Sequence, residues 1–144
     1  MAFPNSRMLL ASITGAHRWL FRASGGRLGG RAGALRFLLL HHVGRKSGRR
    51  FATPLLYVAD AGRWLVVASN AGDDRHPAWW RNLCAQPLAE IETDGERVAV
   101  LARTAAGAER AALWEKLTTA YPPYAEYQRR TRREIPVVVL ERAA

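Results

Sequence analysis

The sequence predicts a mainly β fold with flanking helices (α+β), built as a six-stranded antiparallel barrel. Three observations lead there. Six short apolar runs follow one another mostly in hairpin order; Asp94-Gly95 sits between two of them as a two-residue turn signal; and only two or three segments carry helix signals. A doubly wound parallel sheet would need helices alternating with every strand, which this chain does not supply. At 144 residues and 49% hydrophobic, the chain suits one compact domain with a substantial core.

The strands are expected at Leu35–Val43, at Ala52–Ala59, and, after a short turn at Asp60-Ala61-Gly62, at Arg63–Ser69 with WLVVAS at its centre. EIET and ERVAVLA flank Asp94-Gly95, and Ile135–Glu141 with PVVVLE closes the set. Helices are expected at Pro77–Ala85, with Asp74 or His76 as the cap and Pro77 at its first position, and at Ala108–Ala120. A shorter one starts at Pro122-Pro123. Upstream, residues 5–22 lie on a helix with Leu9, Ile13, Ala16 and Leu20 on one face and Arg7, Thr14, Arg18 and Arg22 on the other. SGGRLGGRAG, Ser24–Gly33, is too glycine-rich for regular structure and reads as a linker. The chain thus divides into an N-terminal helix and linker, 1–33, and a barrel domain, 34–144.

Charge is distributed unevenly. The net charge is +10, yet residues 1–50 hold nine Arg, one Lys and no acidic residue, so all of the excess is N-terminal. That asymmetry points to an anionic partner: nucleic acid, a lipid surface or an acidic small molecule. The basic helix at 5–22 can pack on its own domain, lie on an anionic membrane or meet nucleic acid. With 20 Arg against 2 Lys, together with abundant Ala and Gly, the composition suggests a GC-rich bacterial genome. Cys84 is the lone cysteine, and no Cys/His spacing suits zinc. No apolar run approaches the roughly 20 residues of a membrane span, and no secretory leader is evident, so the expected location is cytoplasmic.

Three stretches carry candidate chemistry. GRKSGRR, Gly44–Arg50, matches neither G-x4-G-K-S/T nor G-x-G-x-x-G. What it offers is two glycines, the Ser47 hydroxyl, and the charges of Arg45, Lys46, Arg49 and Arg50, the means by which proteins hold phosphates and carboxylates. On composition a solvated hairpin loop is equally open. VVASNAGDDRHPAWWRNL, Val66–Leu83, runs from a buried strand into a small polar turn and then a helix bearing Trp79, Trp80 and Asn82; small residues at a strand end let a flat ring approach the backbone. AYPPYAEYQRRT spaces Tyr121, Tyr124 and Tyr127 by three, as packing residues or as the wall of a pocket.

Taken in order, LLLHHVGRKSG, ATPLLYV, VVASNAGDDRHPAWWRNL, LWEKLTTAYPPYAEYQRRT and REIPVVVLE resemble the deazaflavin-dependent nitroreductase family, which is similar to quinone reductases using coenzyme F420. The resemblance covers nearly the whole chain. It implies the split β-barrel shared with flavin-binding reductases, and hydride transfer from reduced deazaflavin to a quinone, an enone or a nitroaromatic. It implies further that Arg45, Lys46, Ser47 and Arg50 meet the phosphodiester and glutamate tail of the coenzyme. Pro54, Val67, Ala68, Ser69 and Asn70 then border its ring and linker, and Ala78, Trp79 and Asn82 close the slot. Tyr121, Tyr124 and Tyr127 fall where the family builds its substrate pocket, with Tyr124 implied as the catalytic donor or proton relay; no metal is implied.

Two positions depart from the family pattern. Asn70 stands where some members have lysine, and Phe51 where arginine is frequent, so the tail contact is expected to shift by one residue. The rival readings are an FMN-binding reductase on the same barrel and a non-catalytic lipid or small-molecule carrier docked on membranes through its basic helix. The expected partners are a small-molecule acceptor and, peripherally, an anionic membrane at the inner face of the cell, with no nucleic acid; the chain is expected to be a monomer or weak dimer.

Overall fold

Alternation of apolar residues, inside and outside one curved sheet, organises the structure. The computed structural model describes residues 36–144, and the helix expected at 5–22 and the linker at Ser24–Gly33 lie outside them. Strands β1 (Arg36–Val43), β2 (Arg50–Asp60), β3 (Arg63–Val67), β4 (Leu88–Thr93), β5 (Glu96–Thr104) and β6 (Val137–Arg142) form a closed barrel in the order β1-β2-β3-β6-β5-β4. Every neighbouring pair is antiparallel, and closure runs through β1 and β4, where Leu40 faces Ile91. A closed barrel leaves no strand edge to recruit another chain. The six-stranded antiparallel expectation is borne out.

Two apolar layers meet on β3 and β6. Val66, Val138 and Leu140 point into the barrel with Leu38, Leu40, Ile91 and Val100. The alternate residues Leu65, Val67, Val137 and Val139 point outward, against Leu113, Leu117 and Tyr124. These three come from α2 (Gly107–Ala120) and α3 (Pro123–Arg129). Burial on both faces explains why β3 and β6 read as unbroken apolar runs while the β4–β5 hairpin alternates. Each such side chain, fully removed from water, contributes about 1.5–3 kcal/mol. The third helix, α1 (Ala78–Ala85), inserts Trp79 and Leu83 into the interior cluster.

Differences from the expected boundaries have local causes. β2 begins at Arg50 because Arg50 and Phe51 pair with Val43 and His42, which leaves Gly44–Arg49 as the loop. Val67 opposite Val137 is the last pair of β3 and β6, so Ser69 and Ile135 fall outside the strands expected to contain them. Helix α1 starts at Ala78, one residue later than expected, with Pro77 as its N-cap rather than its first helical residue. Neither proposed cap serves it: the Asp74 carboxylate accepts from the Thr131 hydroxyl, and His76 Nδ1 faces Arg133. At the β4–β5 turn Asp94 and Gly95 both take left-handed φ, 51° and 73°, the type I′ geometry that matches strand twist.

Candidate active site

The loop between β1 and β2 closes on itself before it meets anything else. Gly44 N–H donates to Arg49 O at 2.7 Å and Gly48 N–H to Gly44 O at 2.9 Å. The Ser47 hydroxyl accepts from the Arg49 amide at 3.2 Å. Gly44 has no room for a side chain: a Cβ there would lie 2.7 Å from Ser47 Oγ and 2.9 Å from the Phe51 ring. From the barrel side, Asn82 of α1 holds the loop. Its Oδ1 accepts from the Arg45 amide at 3.1 Å and from Arg45 Nη1 at 3.2 Å, and its Nδ2 donates to His42 Nδ1 at 3.0 Å. His42 Nε2 reaches Thr53 Oγ1 at 2.9 Å, and its ring stacks on Phe51 with centroids 5.6 Å apart. Burial, then the neighbouring His41, pushes His42 down to about 4, so the ring is neutral and accepts from Asn82.

The charges of this loop are unspent. Arg45, Lys46, Ser47, Arg49 and Arg50 are exposed, and among the described residues none of the four cations pairs with a carboxylate. Several cations elsewhere are paired, as Arg63, Arg97, Arg103 and Arg142 each lie within ion-pair distance of an acidic side chain. Among the described residues the amides of Lys46 and Ser47 at the loop tip find no acceptor either. Adjacent free amides on a loop that also carries three guanidinium groups and one ammonium suit an extended polyanion.

The turn after β3 is conformationally costly. Asn70, Ala71 and Gly72 have φ of 46°, 53° and 83°, three left-handed residues in succession. For the two with side chains this costs roughly 1–2 kcal/mol each. Gly72 is required twice over, because a Cβ there would lie 2.9 Å from Tyr127 O and 3.0 Å from Arg130 Cβ. Several contacts offset the cost: Asn70 Nδ2 donates to Arg75 O at 3.0 Å, and Arg133 donates to the carbonyls of Ala68 at 3.2 Å, Ser69 at 2.8 Å and Asp73 at 2.8 Å.

Through Gly72 the turn packs against α3, the tyrosine helix. Tyr124 is only 5% exposed, with its ring edge-on to Tyr121 at 4.8 Å and to Tyr127 at 6.4 Å. Burial, then its two phenolic neighbours, pushes its hydroxyl well above the ordinary tyrosine range, so it stays protonated. Among the described residues that hydroxyl makes no hydrogen bond. Tyr121 is raised too, first by its hydrogen-bonding interaction with the Tyr127 hydroxyl and then by burial.

The other expected site residues divide by depth. Asn70 and Ala78 are exposed, while Ser69 is half-buried, as is Pro54 on β2 opposite Leu39. Val67 belongs to the outer apolar layer and Ala68 to the interior one. Trp79 is 7% exposed within the barrel cluster, while Trp80 lies against His76 with ring centroids 4.3 Å apart and planes tilted by 37°, and donates its indole N–H to Thr104 Oγ1 at 3.1 Å. Asn82 is buried with its carboxamide committed to Arg45 and His42. Sequence reasoning missed His42, Thr53, Gly72 and Arg133. A histidine inside an apolar strand was a usable signal for the first; nothing local marks Arg133. Among the described residues no group of three His, Cys, Asp or Glu side chains could hold a metal ion.

Known structures share this fold. One solved as an F420-H2 dependent reductase superposes with a TM-score of 0.67 at 39% identity, covering 73% of this chain and 93% of its own. Another, described as a domain-swapped dimer, gives 0.70 at 34% identity over 88% of this chain and 93% of its own. The barrel is thus that of a split-barrel reductase. The profile of the F420H(2)-dependent quinone reductases matches residues 14–142, and a Mycobacterium tuberculosis protein of that description is 40% identical over 130 residues, 88% of this chain and 87% of its own. The chain belongs to the F420H(2)-dependent quinone reductase family. It is an oxidoreductase whose cofactor is coenzyme F420, and the chemistry of the loop suits a polyanionic group: among the described residues it carries four cations with no carboxylate partner and two amides with no acceptor.

Proposed function

We propose that this protein reduces a quinone-type acceptor with reduced F420, and that the loop Gly44–Arg49 with Arg50 holds the coenzyme tail. The observation that carries this reading is the set of four cations left without carboxylate partners on a loop that Asn82 ties to α1. When bound, the reduced coenzyme supplies a hydride from its ring carbon. The chain's own residues do the rest. Lys46, Arg45, Ser47 and Arg50 bind the tail; Pro54, Ser69, Asn70 and Ala78 border the ring, with Val67 and Ala68 beneath; Trp79 and Asn82 support this end of the barrel from α1. Tyr124, whose hydroxyl is protonated and uncommitted, donates to the acceptor oxygen that gains charge, and Tyr121 and Tyr127 shape the pocket around it.

An FMN reading is less favoured because a single phosphate needs fewer cations than the loop presents. Titrating the purified protein with F420 and with FMN tests this: binding of F420 but not FMN, with F420-dependent quinone turnover, is expected. Preferential FMN binding would overturn the assignment, and binding of neither would favour a carrier. The basic face of residues 5–22 supports a further proposal, peripheral contact with an anionic membrane where quinones reside. Co-sedimentation of the full chain with anionic vesicles, lost on deleting residues 1–30, is the expected result; absence of sedimentation would remove it.

A further inference from the structure

The turn Asn70-Ala71-Gly72 is held by more than its own hydrogen bonds. Gly72 N–H to Ser69 O at 2.9 Å and Asp73 N–H to Asn70 O at 3.0 Å close a single short turn. The fixed point lies far along the chain, at Arg133. Its Nε donates to Asp73 O at 2.8 Å, its Nη2 to Ser69 O at 2.8 Å and its Nη1 to Ala68 O at 3.2 Å, while Nη1 also lies 3.0 Å from His76 Nδ1. One planar group thus binds the last residues leaving β3, the residue after the turn, and the imidazole two residues before α1.

Arg133 is itself held in place. Gln128 of α3 donates through Nε2 to Arg133 O at 2.7 Å and accepts the Ile135 amide at 2.9 Å, and Thr131 Oγ1 accepts the Arg133 amide at 3.3 Å. The tyrosine helix, the arginine and the turn therefore form one connected unit. We propose that Arg133 is the positioning residue of this site: its guanidinium sets the Ser69–Gly72 turn that borders the coenzyme ring and registers it against α3, without touching coenzyme or acceptor. This rests on the reading of the turn as the ring's border given above.

The chemistry demands arginine. Four acceptors spread around one plane match a guanidinium fork, whereas a lysine ammonium is a point charge that reaches only part of the set. With Arg133 donating, His76 Nδ1 must accept, so its proton sits on Nε2. His76 is held below its ordinary range by burial first, then by the charges of Arg133 and Arg81. Asp73 and Asp74 are the acidic groups that act on Arg133 itself, and Trp80 covers one face of the imidazole.

Arg133→Lys and Arg133→Gln, with the exposed Arg132→Lys as control, separate this role from general stabilisation. Three quantities are measured: amide exchange of Gly72 and Asp73 in the coenzyme-free protein, the titration of His76 by NMR, and coenzyme dissociation constant against acceptor KM. Both Arg133 variants are expected to speed exchange at the two amides, and Arg133→Gln to move the His76 titration upward toward 6.5. Coenzyme affinity should fall about ten-fold or more, as expected when a preorganised contact surface is misplaced. Arg132→Lys should change nothing. Faster exchange with unchanged coenzyme affinity would overturn the proposal and leave Arg133 a fold residue. Lost affinity with unchanged exchange and His76 titration would overturn it too, because Arg133 would then touch the coenzyme directly. A wild-type protein that binds no F420 would refute the coenzyme reading alone, since exchange and titration judge the clamp without ligand.

Discussion

Asn82 holds Arg45 by two bonds to one oxygen, from the backbone amide at 3.1 Å and from the guanidinium at 3.2 Å. A helix that sends Trp79 and Leu83 into the barrel interior is thereby tied to the first cation of the loop. Because the other half of the carboxamide is bonded to His42, the whole side chain is consumed in positioning. In Asn82→Ala the Arg45 amide and His42 Nδ1 lose their partner. Each lost bond contributes about 0.5–1.5 kcal/mol, so a modest loss of stability is expected. The sharper expectation is a weaker coenzyme complex with an unchanged acceptor KM. Coenzyme titration against Asn82→Ala checks it; equal affinity would mean the loop keeps its shape without the tie.

Lys46 lies at the loop tip, free of any carboxylate among the described residues. Hydrogen bonds to charged groups contribute about 1.5–3 kcal/mol, so Lys46→Ala should weaken F420 binding about ten-fold or more. The complex should also become less salt-sensitive, since one exposed charge fewer is screened. Dissociation constants at low and high ionic strength are the measurement, and an unaltered value at both would remove Lys46 from the tail site.

Tyr124→Phe keeps the ring that fills the space between α3 and the outer face of β3 and β6 and removes only the hydroxyl. Coenzyme affinity should hold. Turnover should fall by up to about 10²-fold if the hydroxyl donates to the developing oxyanion. Steady-state rates with a quinone and a nitroaromatic decide: normal rates with both would return Tyr124 to packing alone, and lost F420 affinity would put it on the coenzyme side.

Stability in acid should depend on His42. Its folded value, about 4, lies below the ordinary 6.5, so the folded state disfavours the proton and the unfolded state takes it up. The stability this group contributes is complete above pH 6.5 and is lost as pH falls toward 4. Linkage over that window gives about 2 kcal/mol lost between pH 7.5 and 5 from this residue. Denaturant unfolding at the two pH values should show that drop in the wild type and a smaller one in His42→Gln. Equal drops would place the acid-sensitive group elsewhere.

The class of fold was legible because it rests on local signals. Apolar periodicity, the Asp94-Gly95 turn and the unbroken VVVL run are properties of neighbouring residues, and they specify strands, hairpins and which strands are buried on both faces. The cationic loop was legible for the same reason, since its charge and glycines are contiguous. Tertiary structure alone decided what those residues face. Arg45 could not be tied to Asn82, nor Arg133 to Ala68, Ser69 and Asp73, from sequence, because the partners lie 37 and 60 to 65 positions apart. Only the docking of α1 on the barrel and the pairing of β3 with β6 bring them together. Nor could the depth of Trp79 or Tyr124 be read from spacing: a three-residue repeat puts tyrosines on one side of a helix, but whether that side meets solvent, a ligand or a sheet depends on how the helix docks. Local physics determined the elements and the charge of the site; long-range packing determined which side chains are free to act and which are spent holding others in place.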